Sequence, residues 1–236
     1  MAAEPRVAHG RIAVERVDEG LRSYMLSVYN YMGLALVLTG VVAYVVGTTP
    51  ALYGPILMSP LKWVVMLAPL GFVMFLSVRI QKMSLSAAQL TFWAFAAVMG
   101  LSLSTVFIAF TGSSVARVFF ITAAAFGSLS LYGYTTKRDL SAWGSFLFMG
   151  LVGIIIASIV NIFLASSALQ FAVSVIGLLV FAGLTAYDTQ RIKEMYYELD
   201  NSDVMGRKAI MGALSLYLDF INMFMFLLQF FGGSQE

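Results

Sequence analysis

Between Glu19 and Asp139 the chain runs for 119 residues without one acidic side chain. A water-facing surface of that length needs carboxylates, since soluble domains are about a quarter charged. Here 11% of the 236 residues are charged and 60% are hydrophobic, with a mean hydropathy of +0.88. The expected solvent is therefore lipid, and long apolar runs in lipid must satisfy their backbone internally, as helices do. The expected class is an all-α integral membrane protein.

A helix crossing the hydrocarbon core needs about 20 mainly apolar residues at 1.5 Å each. Seven such runs recur, at about 25–46, 62–80, 87–110, 115–134, 142–164, 169–190 and 208–231. They are separated by Gly47 to Pro60, Gln81 to Ser84, Thr111 to Ser114, Thr135 to Ser141, Ala165 to Ser167 and Arg191 to Lys208. Residues 1–24 read as a polar cytoplasmic tail and 25–236 as a single seven-helix membrane domain. The tail lacks the short apolar core of a signal peptide, so the first apolar run is expected to direct insertion.

Lys and Arg collect in cytoplasmic loops. Arg6, Arg11, Arg16 and Arg22 lie in the tail, Arg79 and Lys82 between the second and third runs, and Lys137 and Arg138 between the fourth and fifth. Arg191, Lys193, Arg207 and Lys208 lie between the sixth and seventh. These are 12 of the 14 basic residues, all on alternate connections, with Lys62 and Arg117 left for the other side. The pattern places the amino terminus in the cytoplasm and the carboxyl terminus outside. Pro69 should kink the second span by removing a backbone donor. Gly100 with Ser104, and Ala123 with Gly127, are spaced for close helix contacts.

Chemistry has few candidates. The chain has no Cys and one His, and it carries no Ser/His/Asp set, His pair or phosphate loop. No enzyme, cofactor or nucleic-acid partner is expected. The outstanding residue is Asp219, inside Ser215-Leu216-Tyr217-Leu218-Asp219-Phe220-Ile221-Asn222-Met223-Phe224. A carboxylate facing lipid there costs roughly 2.5–3.5 kcal/mol, so it must face protein or water. On a helix, Gly212, Ser215, Asp219, Asn222 and Gln229 share one face, while the other faces carry Leu, Ile, Phe and Met. Such a stripe belongs in the centre of a bundle.

Asp188 lies near the end of the preceding run, with Thr185 and Arg191 one turn to either side. The sixth and seventh spans are consecutive and antiparallel, so Asp188 and Asp219 can approach. Two close carboxylates in a low dielectric cannot both ionise cheaply and would share a proton. Protonated, the pair ties two helices; deprotonated, it repels or captures a cation. Hard oxygens suit Ca²⁺, but two carboxylates fall far short of its six to eight ligands. Any calcium site formed by Asp188 and Asp219 would be weak. Arg79 is a candidate counter-ion for Asp188. The plainer alternatives are an Asp188–Arg191 pair at the membrane edge and Arg79 as a positive-inside anchor.

Gly133-Tyr134-Thr135-Thr136-Lys137-Arg138-Asp139-Leu140, Thr185-Ala186-Tyr187-Asp188-Thr189-Gln190, and Ala213 to Phe224 resemble the signatures of the Bax inhibitor-1 family. The likeness runs from about Tyr24 to the end, with three motifs in order. It implies six helices packed around a central carboxy-terminal helix, and a pH-sensitive calcium leak gated by an aspartate pair. In this sequence the pair maps onto Asp188 and Asp219, and a second-span arginine onto Arg79. Some members carry an acid in the second span, where this chain has none. The resemblance also offers other readings: a membrane interaction protein that regulates a membrane protease or a stress or cell-death partner, or a proton-coupled cation transporter. The short tail and compact loops suit a bacterial member in the inner membrane.

Overall fold

A computed structural model describes residues 5–233, with side chains from residue 18 onward except that of Leu57. The helices are α1 (Pro5–Thr48), α2 (Pro50–Leu57), α3 (Leu61–Arg79), α4 (Leu85–Ala109), α5 (Gly112–Thr135), α6 (Ser141–Leu164), α7 (Ser167–Glu194) and α8 (Ser202–Phe231). Seven are long and apolar enough to cross a bilayer, α1 from Asp18 onward. The spans agree with the apolar runs to within a few residues, apart from helical extensions. α1 begins well inside the polar tail, and α7 and α8 run several residues past their apolar segments toward each other.

The helix starts follow from side-chain caps. Ser84, Thr111, Ser166 and Asn201 each accept a hydrogen bond from a backbone N–H in the first turn of α4, α5, α7 and α8. α2 is a short helix in the segment read as a break, with Pro50 at its start where no donor is lost. α3 continues through Pro69.

α8 is the most enclosed span, with 67% of its apolar window buried. It packs extensively on α7, α1, α5 and α4, and only slightly on α3. α6 departs from the expected ring of six. It packs on α7 and makes no extensive contact with α8. The reason is volume: the space between α6 and α8 is a cavity, not a packed seam.

Small residues set two of the closest approaches. A Cβ on Gly100 would collide with the Thr39 carbonyl and Val42, so α1 and α4 meet there at backbone distance. A Cβ on Gly133 would strike the carbonyl of Ala186, which fixes the α5–α7 crossing. Gly127 behaves otherwise, since a Cβ there would meet nothing within 4 Å. Its expected packing role falls to Gly133, one turn and a half further on.

Polar side chains tie the bundle internally. Thr39 of α1 donates to the Ala96 carbonyl at 2.8 Å and meets the Tyr217 hydroxyl at 2.7 Å, joining α1, α4 and α8. Tyr29, Ser130 and Thr189 link α1, α5 and α7 at 2.7 and 3.0 Å. At the opposite end from the basic connections, the Gly233 N–H donates to Ser114 Oγ at 2.7 Å. The Thr111 N–H donates back to the Gly233 carbonyl at 3.1 Å.

Candidate functional site

Asp188 and Asp219 line the same cavity, of about 1050 Å³, walled by α6, α7 and α8. α7 brings Asp188 there because it stays helical through Arg191 to Glu194 instead of ending at the last apolar residue. α8 brings Asp219 there on the polar stripe. Ser215 and Asn222, one turn to either side, also line the cavity. The rest of the stripe faces α7: Gly212 lies against Ile192, and Gln229 Oε1 accepts from Ser174 at 2.6 Å and Gln170 at 3.1 Å. The stripe thus faces one neighbour and a void, not a closed ring of helices.

Asp219 is 4% exposed, and its Oδ2 is buried without a hydrogen-bond partner. No donor among the described residues hydrogen-bonds either carboxylate of the pair. Arg191 lines the same cavity as the two acids. A buried carboxylate with no donor is stable only if it holds a proton or a cation. Asn222 does not serve as its donor; its amide N–H₂ donates instead to the Leu218 carbonyl at 2.8 Å.

Arg79 does not join the pair. It is exposed at the end of α3, absent from the cavity wall, and α3 packs on α4 rather than on α7. The cation in the cavity wall is Arg191, one turn from Asp188 on the same helix. Asp188, Asp219 and Arg191 are the charged residues of the lining. Among the described residues, no group of three His, Cys, Asp or Glu side chains is placed to hold a metal. Any Ca²⁺ at Asp188 and Asp219 would draw most of its oxygens from Ser215, Asn222 and water.

The Tyr187-Asp188-Thr189-Gln190 stretch gives each residue a separate contact. Tyr187 packs where Gly144 of α6 leaves room, Asp188 enters the cavity, and Thr189 meets Ser130 of α5. Gln190 clasps the α5–α6 connection, accepting from the Leu140 N–H and donating to the Arg138 carbonyl, both at 2.8 Å. Lys193 donates to the Tyr134 carbonyl at 2.9 Å and lies over its ring. In the same connection the Ser141 hydroxyl and N–H hold the exposed Asp139 carboxyl below its usual range. The second sequence motif is thus the buttress of the first, and it aims Asp188 from fixed backbone.

Sequence reasoning passed over α6. Ser141, Ser145 and Ser158 line the cavity opposite the aspartates. The available signal was the pair Ser141 and Ser145, four residues apart on one face of a highly apolar helix.

Residues 21–236 match the family model described as inhibitor of apoptosis-promoting Bax1. The inner membrane protein YbhL of Escherichia coli strain K12 is 46% identical over 219 residues, covering 92% of this chain and 94% of that protein. A Caulobacter vibrioides protein is 47% identical over 230 residues, with 93% and 92% covered. A Rickettsia prowazekii protein is 50% identical over 219 residues, covering 93% of each. With its seven apolar helices and a match across nearly its whole length, this integral membrane protein belongs to the Bax inhibitor-1 family.

Proposed function

We propose that the chain is a pH-sensitive, calcium-permeable leak of a bacterial inner membrane, with Asp188 and Asp219 as its proton-sharing gate. The amino terminus faces the cytoplasm and the carboxyl terminus the outside, as the placement of Lys and Arg favours. The observation that carries the reading is the buried, unpartnered Oδ2 of Asp219 in a cavity shared with Asp188. With one proton between them, the two acids and Arg191 leave the lining neutral, and a cation gains nothing by entering. When that proton leaves, one net negative charge remains in a low dielectric, which draws cations in and pushes α7 and α8 apart. Few hard ligands and ample room for water suit passage rather than retention.

The test is calcium influx into liposomes that hold the purified protein and a calcium dye. Influx is expected to rise as pH increases from about 5 to 8, because ionisation of the pair supplies the attracting charge. Asp219→Asn should flatten that dependence. A wild-type protein without flux sinks the leak and leaves an interaction protein, for instance a regulator of a membrane protease. Flux that requires an imposed proton gradient points to a coupled transporter.

A further inference from the structure

The cavity around the aspartates has one long, largely apolar wall, supplied by α6. Its α6 wall runs from Ser141 to Ile162, roughly 30 Å at helical rise and about the thickness of a bilayer core. Phe148, Met149, Ile155 and Ile159 on that wall are at least half exposed. α6 packs on α7 and makes no extensive contact with α8, so the cavity is left open where those two helices would otherwise meet. Two carboxyl groups therefore share a crevice with an apolar wall.

We propose that this crevice binds lipophilic monocations, that is, amphiphiles with one ammonium group and an alkyl or aromatic body, which enter from the bilayer. The ammonium meets Asp219, and the body lies along Leu151, Ile155, Ile159 and Phe226. The charge fits: two carboxylates against the single guanidinium of Arg191 leave one negative charge, which one monovalent cation balances. α6 contributes no charged or titratable side chain to the wall, and Tyr187 is the remaining titratable group there. Binding deepens the reading of the pair as a cation and proton site but does not depend on transport. An amine seated there competes with the shared proton and blocks cation entry.

The probe is dodecyltrimethylammonium, titrated by calorimetry into the full-length protein in lipid nanodiscs above neutral pH. Dodecanol supplies the same body without charge, and tetramethylammonium the charge without the body. Saturable binding of the amphiphile alone is expected, weakened about tenfold or more by Asp219→Asn, which removes the charge partner from an apolar site. Ile155→Trp fills the crevice at a position half exposed in the folded chain. It should also abolish binding while Asp219 stays intact. Equal binding of dodecanol, or undiminished binding by both variants, overturns the proposal. So does a lack of saturable binding, the result expected if lipid acyl chains hold the crevice too firmly to yield. Because binding is read without flux, saturable amine binding by a protein with no calcium leak would sink the leak and keep this site. Calcium leak without amine binding would do the reverse.

Discussion

α6 and α8 invert the rule of soluble proteins. α6 has the highest hydropathy of the seven spans, yet 11% of its apolar window is buried inside the bundle. α8 is one of the less apolar spans, yet 67% of its window is buried. In water the most apolar helix would be the core. In lipid, apolar surface gains nothing by leaving a solvent as apolar as itself, so burial goes to residues the lipid cannot serve. α8 carries Asp219, Asn222, Tyr217 and Gln229, and each must find protein or a cavity. α6 carries Ile, Phe, Leu and Met on most of its faces and can remain outside.

The sharpest way to break this contrast is to truncate a large side chain on each helix. Leu216 on α8 is fully buried, and Leu216→Ala should lower unfolding stability by about 2–4 kcal/mol through the void it leaves. Ile162 on α6 is 77% exposed. Ile162→Ala should change stability by less than about 0.5 kcal/mol, since lipid replaces the lost methyls. Equal losses, read as unfolding in mixed micelles, would mean that α6 is as much core as α8.

A smaller effect is expected from adding a methyl. Gly133→Ala pushes a Cβ into the Ala186 backbone and should destabilise by roughly 1–3 kcal/mol, with α5 and α7 forced apart. Gly153→Ala on α6 meets nothing within 4 Å and should gain up to about 1 kcal/mol from helix propensity. Opposite signs in the thermal midpoints would sharpen the division between tight and loose seams. The smallest effect concerns hydrogen bonds. Tyr217→Phe removes the hydroxyl from Thr39, which keeps its bond to Ala96, so the loss should be about 0.6 kcal/mol and below about 1.7. Ser158→Ala on α6, where the hydroxyl has no hydrogen bond within the described structure, should have no measurable cost. A large loss at Ser158 would mean that the α6 wall has a structural role of its own.

Much of the membrane domain was legible because each span must be apolar on its own account. Segments such as 142–164 announce themselves by length and composition, and α6 occupies Ser141–Leu164. That Asp188 and Asp219 would line one cavity was legible for a related reason: each acid had to avoid lipid, and consecutive antiparallel helices left few places to go. Arg79 was harder. Its position after an apolar run is the same for an anchor and a counter-ion, and nothing local reveals which helix α3 packs against. Gly127 and Gly133 pose the same difficulty, as both are small residues on α5 and only one meets a neighbour's backbone.

Alone, the order of residues determined that the chain dissolves in lipid, crosses it seven times, and carries two acids with no place in that solvent. These are properties of segments and solvents, and they need no knowledge of neighbours. Tertiary structure decided that α6 stands away from α8, that the gap between them holds the acids, and that Arg191 rather than Arg79 shares it. Those outcomes depend on which surfaces meet, and in a bilayer many apolar surfaces are interchangeable partners. Close backbone approaches and a handful of hydrogen bonds select among them.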